Sequence, residues 1–212
     1  MSKSLIIFAR EPRPTRVKTR LAASIGDQAA AGLYERMLRD VLENAGQMTG
    51  VVSVTYWACE EELLPLLAGR FRCNSRCQST GDLGRRMRVA FEEMFGDGYE
   101  TCCIIGSDAP DLPSRYIQEA FETLAANRAD VVFGPASDGG YYLLGMKRLW
   151  PQLFAEIPWS TPQVLERSLQ AAEKAGARVH LLPVWHDIDT LEDLLAYRER
   201  TESQNSIAPG VA

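Results

Sequence analysis

Short apolar runs alternate along the chain with longer stretches whose apolar positions recur every three or four residues. Residues 4–9 read as a buried strand, 51–57 as a β-branched and aromatic one, and 101–105 as a third. Residues 130–133 and 141–144 read as strands around a Gly139-Gly140 turn, and 178–183 as a last strand. Between them the spacing predicts helices. Residues 27–46 place Leu33, Met37, Val41 and Ala45 on one stripe, and 82–95 form a second amphipathic helix before a Gly96-Asp97-Gly98 turn. A short helix is expected over 60–68. Residues 114–126 carry Ile117, Ala120, Phe121 and Leu124 at helical spacing, and 161–175 end at Gly176. Residues 190–200 form the last helix, with Thr190 as N-cap and Asp193 three positions on.

Strands alternating with helices imply an α/β sandwich with a largely parallel sheet. One domain is expected over residues 1–201, followed by a flexible polar tail over 202–212. In open parallel sheets, ligands bind beyond the carboxyl ends of the strands, so the loops leaving those ends are the candidate binding segments.

The 212 residues are 46% hydrophobic and 24% charged, enough apolar content to fold without disulfides or a structural metal. The apolar runs fall far short of the roughly 20 residues of a membrane helix, and the first five residues lack a signal-peptide core. A cytoplasmic, soluble protein is expected. The formal charge of -5 argues against nonspecific nucleic-acid binding, which needs a basic footprint. The five cysteines form no Cys-x-x-Cys pair. The Cys73/Cys77 spacing lacks a matching histidine, so free thiols in a reducing compartment are expected rather than zinc.

Against this acidic background one loop is basic. Residues 10–20 hold Arg10, Arg13, Arg16, Lys18 and Arg20, stiffened by Pro12 and Pro14, and leave the end of the first strand at Ala9. Lys18 and Arg20 suit a polyphosphate, although no Walker A pattern is present and a solvated basic loop is the plainer alternative. Gly106-Ser107-Asp108 follows the mid-chain strand. A carboxylate there suits magnesium, which takes one or two protein carboxylates plus phosphate oxygens, or else it serves a turn. Asp187-Ile188-Asp189 places two acids on one side if extended. They complete a metal site with Asp108, or Asp189 caps the last helix; His186 beside them reads as structural. Gly81, Asp82 and Arg86 sit at a helix start, a nucleotide contact or an ordinary cap. Asp138-Gly139-Gly140-Tyr141 suits an acceptor site or a hairpin turn, and Trp159-Ser160-Thr161 an acceptor wall or a cap.

The order of these motifs resembles the nucleotide-diphosphosugar transferase (GT-A) superfamily. Phe8-Ala9-Arg10-Glu11-Pro12, Val17-Lys18-Thr19-Arg20-Leu21, Gly81-Asp82-Leu83-Gly84, Ile105-Gly106-Ser107-Asp108-Ala109-Pro110, Phe133-Gly134-Pro135-Ala136, Asp138-Gly139-Gly140-Tyr141-Tyr142 and Asp187-Ile188-Asp189-Thr190 together look like the bacterial selenodomain-associated transferases, usually labelled glycosyltransferases. The Lys18–Leu21 segment is also similar to phospholactate guanylyltransferases, and the Asp-Ile-Asp-Thr ending to molybdenum-cofactor and sugar nucleotidyltransferases. The resemblance implies a single-domain Rossmann-like GT-A sandwich with a mostly parallel mixed sheet flanked by helices.

By the same resemblance, Lys18 holds a triphosphate, Asp108 a magnesium or manganese ion, and Asp189 the same or a second ion, with Asp187 beside it. Ala9, Arg10, Arg20, Gly81, Asp82, Arg86 and Ser107 lie at the nucleotide, and Asp138 to Tyr141 at the acceptor. Thr15 stands where the family usually has glycine. Lys18, Arg20 and Asp108 are the catalytic candidates. The expected partners are a nucleoside triphosphate or nucleotide sugar and a small-molecule acceptor, with a homodimer left open. Nucleotidyl transfer to a phosphorylated acceptor is favoured, because a triphosphate needs more countercharge than a diphosphate sugar. Glycosyl transfer with Asp138 as base, and an inactive nucleotide-binding module, are the alternatives.

Overall fold

The computed structural model describes residues 2–207, which form one seven-stranded sheet with helices on both faces. The strands are β1 (Lys3–Arg10), β2 (Val51–Ala58), β3 (Ser75–Cys77), β4 (Thr101–Ile105), β5 (Val131–Pro135), β6 (Tyr141–Met146) and β7 (Val179–Leu181), in the order β3-β2-β1-β4-β6-β5-β7. The β1–β2, β2–β3, β1–β4 and β5–β7 pairs are parallel, whereas β6 runs antiparallel to both β4 and β5. The expected mixed, mostly parallel sandwich is the observed one.

The apolar runs of β1 and β4 are continuous because both of their faces are covered. Leu5 and Ile7 pack with Cys103 and Ile105 beneath α2 (Asp27–Gly46) and α5 (Ser114–Ala125). Ile6 and Ile104 point the other way, onto α4 (Leu83–Gly96) and α6 (Val164–Lys174). Each fully buried side chain of this size stabilises the fold by roughly 1.5–3 kcal/mol relative to exposure.

Two elements escaped the sequence pattern. The seven-residue helix α1 (Thr19–Ile25) follows the basic loop directly, and β3 is only three residues long. Neither is long enough to show a period. Leu21 fixes α1 by burial against Met37, Ile188 and Leu194. On α2 it is Tyr34, not Leu33, that is buried, together with Met37, Leu38 and Val41.

Some boundaries also shift. The expected 60–68 helix is a 3-10 turn, Glu61–Leu63, followed by α3 (Leu64–Phe71). Helix α6 begins at Val164 rather than 161, because Thr161 donates to the Pro158 carbonyl in a turn of its own. Helix α7 (Leu191–Ile207) continues past Arg200, so the first part of the expected tail is helical; residues 208–212 lie outside the described ones. Thr190 and Asp193 form the expected cap: the Asp193 N–H donates to Thr190 Oγ1 at 3.2 Å, and the Thr190 N–H donates to the Asp193 carboxylate at 2.8 Å. Among the described residues, no helix is long and apolar enough to cross a membrane.

Candidate active site

A crevice of about 440 Å³ opens at the carboxyl ends of β1 and β4. Because β6 runs opposite to β4, its first residue, Tyr141, reaches the same end. Ala9, Arg10, Lys18, Arg20, Arg86, Ser107, Asp108, Tyr141, Asp187 and Asp189 all line this one space, although the sequence scatters them over 180 positions (189 - 9).

Lys18 is the centre of the arrangement. It follows the turn-rich loop after β1, takes a left-handed backbone (φ 49°), and its carbonyl accepts the Ala22 N–H to start α1. Its side chain is 3% exposed. The ammonium lies 2.5 Å from Asp108 and 2.7 Å from Asp189, whose side chains are 42% and 48% exposed. Burial by itself would lower the lysine's pKa, but the attraction of both carboxylates outweighs it and the value is raised. The proton stays on this lysine, whose partners face the crevice.

The acids are brought together by the backbone. Ile188 donates its N–H to the Asp108 carbonyl at 3.0 Å and buries its side chain fully, which turns Asp187 and Asp189 outward. Asp189 therefore faces Lys18, while the cap of α7 is made by Thr190 and Asp193. Asp187 is pushed up to about 7, mainly by burial and then by Asp108, Asp189 and Asp138. Four acids share this corner with one lysine.

The opposite wall is cationic. Gln78, just beyond β3, donates its amide to the carbonyls of Ala9 (3.2 Å) and Tyr56 (2.9 Å), so its oxygen is turned to accept from Arg86 at 3.1 Å. The Arg86 guanidinium also donates to the Asp82 carbonyl, and its pKa is lowered by burial and by Arg10. Two guanidiniums that repel one another beside a crevice form a seat for an anion. Tyr34 ties this wall to the acidic one. Its hydroxyl accepts the Arg10 N–H at 2.9 Å and lies 2.8 Å from Ser107 Oγ, and burial pushes its pKa up to about 12.

Nothing in the sequence pattern marks Gln78 or Tyr34. Gln78 carries no motif, and Tyr34 sits within a helix as an ordinary core position; only the tertiary packing shows what they touch.

The remaining candidates take local roles. Asp82 caps α4, accepting the Arg85 N–H at 2.8 Å, and Gly81 (φ 112°) turns the chain into it. Asp138 accepts the Gly140 N–H at 2.8 Å inside the β5–β6 turn, and a Cβ on Gly139 would drive into the Pro162 carbonyl. Trp159 lies flat against Gly84, and Ser160 borders the crevice. His186 bonds Ser137 at 3.1 Å. Cys59 and Cys77 approach to 3.8 Å between their sulfurs, Cys73 faces Ser75, and Cys102 and Cys103 are buried in β4.

Taken together, the sheet order and the crevice define the GT-A-like fold of nucleotidyl- and glycosyltransferases. The chain belongs to the DUF2064 family, described as uncharacterized proteins conserved in bacteria, whose profile matches residues 41–161. A crystal structure from Desulfovibrio desulfuricans G20, provisionally described as a nucleotide-diphospho-sugar transferase, is 32% identical with a TM-score of 0.89, over 95% of this chain and 89% of that one. CMP:2-keto-3-deoxy-manno-octonic acid synthetase in complex with CTP shares the fold at 13% identity and a TM-score of 0.63, over 96% of this chain and 100% of that one. Molybdopterin-guanine dinucleotide biosynthesis protein A from Archaeoglobus fulgidus does so at 14% and 0.57, over 94% and 99%. A search of the curated proteins found no match.

Proposed function

We propose that this protein is a metal-dependent nucleotidyltransferase that moves a nucleoside monophosphate from a nucleoside triphosphate to a phosphorylated small acceptor. The observation that carries the reading is the buried Lys18 ammonium held between Asp108 and Asp189 in a crevice with Arg10 and Arg86 opposite. The acceptor phosphate attacks the α-phosphorus, a new P–O bond forms, and the bond to pyrophosphate breaks. The attacking group is already anionic, so no strong base is required. The chain's work is to position the two substrates and neutralise their charge. Lys18 and Arg20 are assigned to the departing phosphates. Arg10, Arg86 and the α4 start are assigned to the nucleotide, and the turn from Asp138 to Tyr141 to the acceptor.

Among the described residues, no group of three or more His, Cys, Asp or Glu is arranged to hold a metal ion alone. Asp108 and Asp189, with oxygens that converge on a single ammonium, nevertheless fit magnesium or manganese, which complete their shells with phosphate and water. Asp187 is the third oxygen donor nearby. A bound ion supplies countercharge to the phosphate oxygens at the reacting phosphorus.

Within the family, the chain is assigned to the selenodomain-associated transferases on its motifs. The description of the Desulfovibrio structure favours a second reading, glycosyl transfer from a nucleotide sugar in the same crevice. One experiment separates the two. Pyrophosphate release is measured with the four nucleoside triphosphates and a library of phosphorylated small acids and sugars, alongside nucleoside diphosphate release from nucleotide sugars. Acceptor-dependent pyrophosphate supports the proposal, and nucleoside diphosphate release alone replaces it with the second reading. Silence in both assays overturns both.

A further inference from the structure

The ammonium of Lys18 occupies the place between Asp108 and Asp189 where a divalent cation would sit. Both contacts are short, 2.5 and 2.7 Å, and the lysine is nearly sealed from water. A buried ammonium and a divalent ion cannot share two carboxylates at that range without strong repulsion. The left-handed backbone at residue 18 and the start of α1 at its carbonyl hold the lysine stem on the protein side of the acids.

We propose that Lys18 is a resident counter-ion that keeps the metal site closed until a nucleotide arrives. Polyphosphate attracts the ammonium away from the acids, and the freed carboxylates then accept the ion that the phosphates bring. The order of binding is nucleotide first or nucleotide with metal, never metal alone. The same lysine serves both states: in the free protein it neutralises Asp108 and Asp189, and in the complex it neutralises phosphate. This inference rests on the nucleotide-binding reading above and adds to it a reason for the lysine's burial.

Manganese binding, followed by the loss of the free-ion electron paramagnetic resonance signal, tests it without turnover. The wild-type protein alone is expected to bind Mn2+ weakly. Lys18→Met, which keeps the apolar stem and removes the charge, is expected to bind Mn2+ alone at least about tenfold more tightly. Its melting temperature should rise with Mn2+ where the wild type's does not. Lys18→Gln serves if the methionine variant does not fold, since its amide still donates to the carboxylates without charge. Asp108→Asn in the Lys18→Met background should abolish the gain, which locates the ion.

Equal Mn2+ affinity in the wild type and a folded Lys18 variant would overturn the gate. Nucleotide-dependent Mn2+ uptake by the wild type in that case leaves the transferase reading intact. Tight Mn2+ binding by the nucleotide-free wild type also overturns the gate while supporting the metal site. No Mn2+ binding by the variants, and none by the wild type with nucleotide, removes both.

Discussion

The backbone N–H of Ile188 donates to the carbonyl of Asp108 across 3.0 Å, joining the loop after β4 to the segment before α7. This bond sets the distance between the two acids that share Lys18. Residues 80 positions apart (188 - 108) are thereby placed in register by main chain rather than by their own side chains.

Asp108→Asn retains that main-chain bond, so the variant should fold. It removes the charge that faces the crevice. Metal-dependent turnover should fall by about 10²-fold or more, the scale seen when a preorganised charge-stabilising group is lost. Pyrophosphate release at saturating nucleotide checks it. Unchanged turnover would remove Asp108 from the site.

Tyr34→Phe strips the part-buried Arg10 N–H of its partner and also frees Ser107. The expected cost is about 0.5–1.5 kcal/mol of stability, the net worth of one hydrogen bond. Nucleotide affinity should weaken as well, since the basic loop and the β4 loop lose their tie. Urea denaturation and calorimetric titration read the two effects separately.

Thr15 occupies a left-handed conformation, φ 67°, that suits glycine and strains a β-branched residue. Thr15→Gly should therefore stabilise the protein by up to about 1 kcal/mol, after the extra freedom of glycine in the unfolded chain is counted. A fall in melting temperature would show that the threonine side chain makes up for its backbone.

Gly139→Ala and Gly46→Ala should diverge. At Gly139 (φ 89°) a methyl meets the Pro162 carbonyl, and the loop carrying Trp159 and Ser160 must shift. The expected loss is about 1–3 kcal/mol. At Gly46, the last residue of α2, a Cβ meets nothing within 4 Å, and alanine should be neutral or stabilising by up to about 1 kcal/mol. Thermal melts of the two variants decide it.

Asp193 carries an acid-dependent share of the stability. Burial would raise its pKa, but the Thr190 hydroxyl and the N–H groups of Asp189 and Thr190 hold it below the ordinary 3.8. Since the folded value is the lower one, its contribution is complete above 3.8 and is lost as pH falls through the folded value. Asp193→Ala should cost about 1 kcal/mol at pH 7, the worth of a helix cap. The difference between wild type and variant should narrow below pH 3.8, which melting curves across the acid range would show.

Local periodicity was sufficient for the α/β alternation, for α2 and β4 to the residue, and for the cap at Thr190 and Asp193, because each depends on neighbours a few positions away. The motifs likewise marked Lys18, Asp108 and Asp189, since loops at the carboxyl ends of parallel strands converge on one crevice in any such sheet. Only the tertiary structure could show what each side chain also touches. Asp82 caps a helix, Asp138 holds a turn, Asp189 reaches Lys18, and Gln78 and Tyr34, which no motif marks, join the walls of the crevice. Those assignments depend on which distant backbone groups meet, and β1, β2, β3 and β4 settle that by pairing across more than 90 residues of chain (101 - 3). A lysine's burial between two acids is a property of that meeting and of no segment alone.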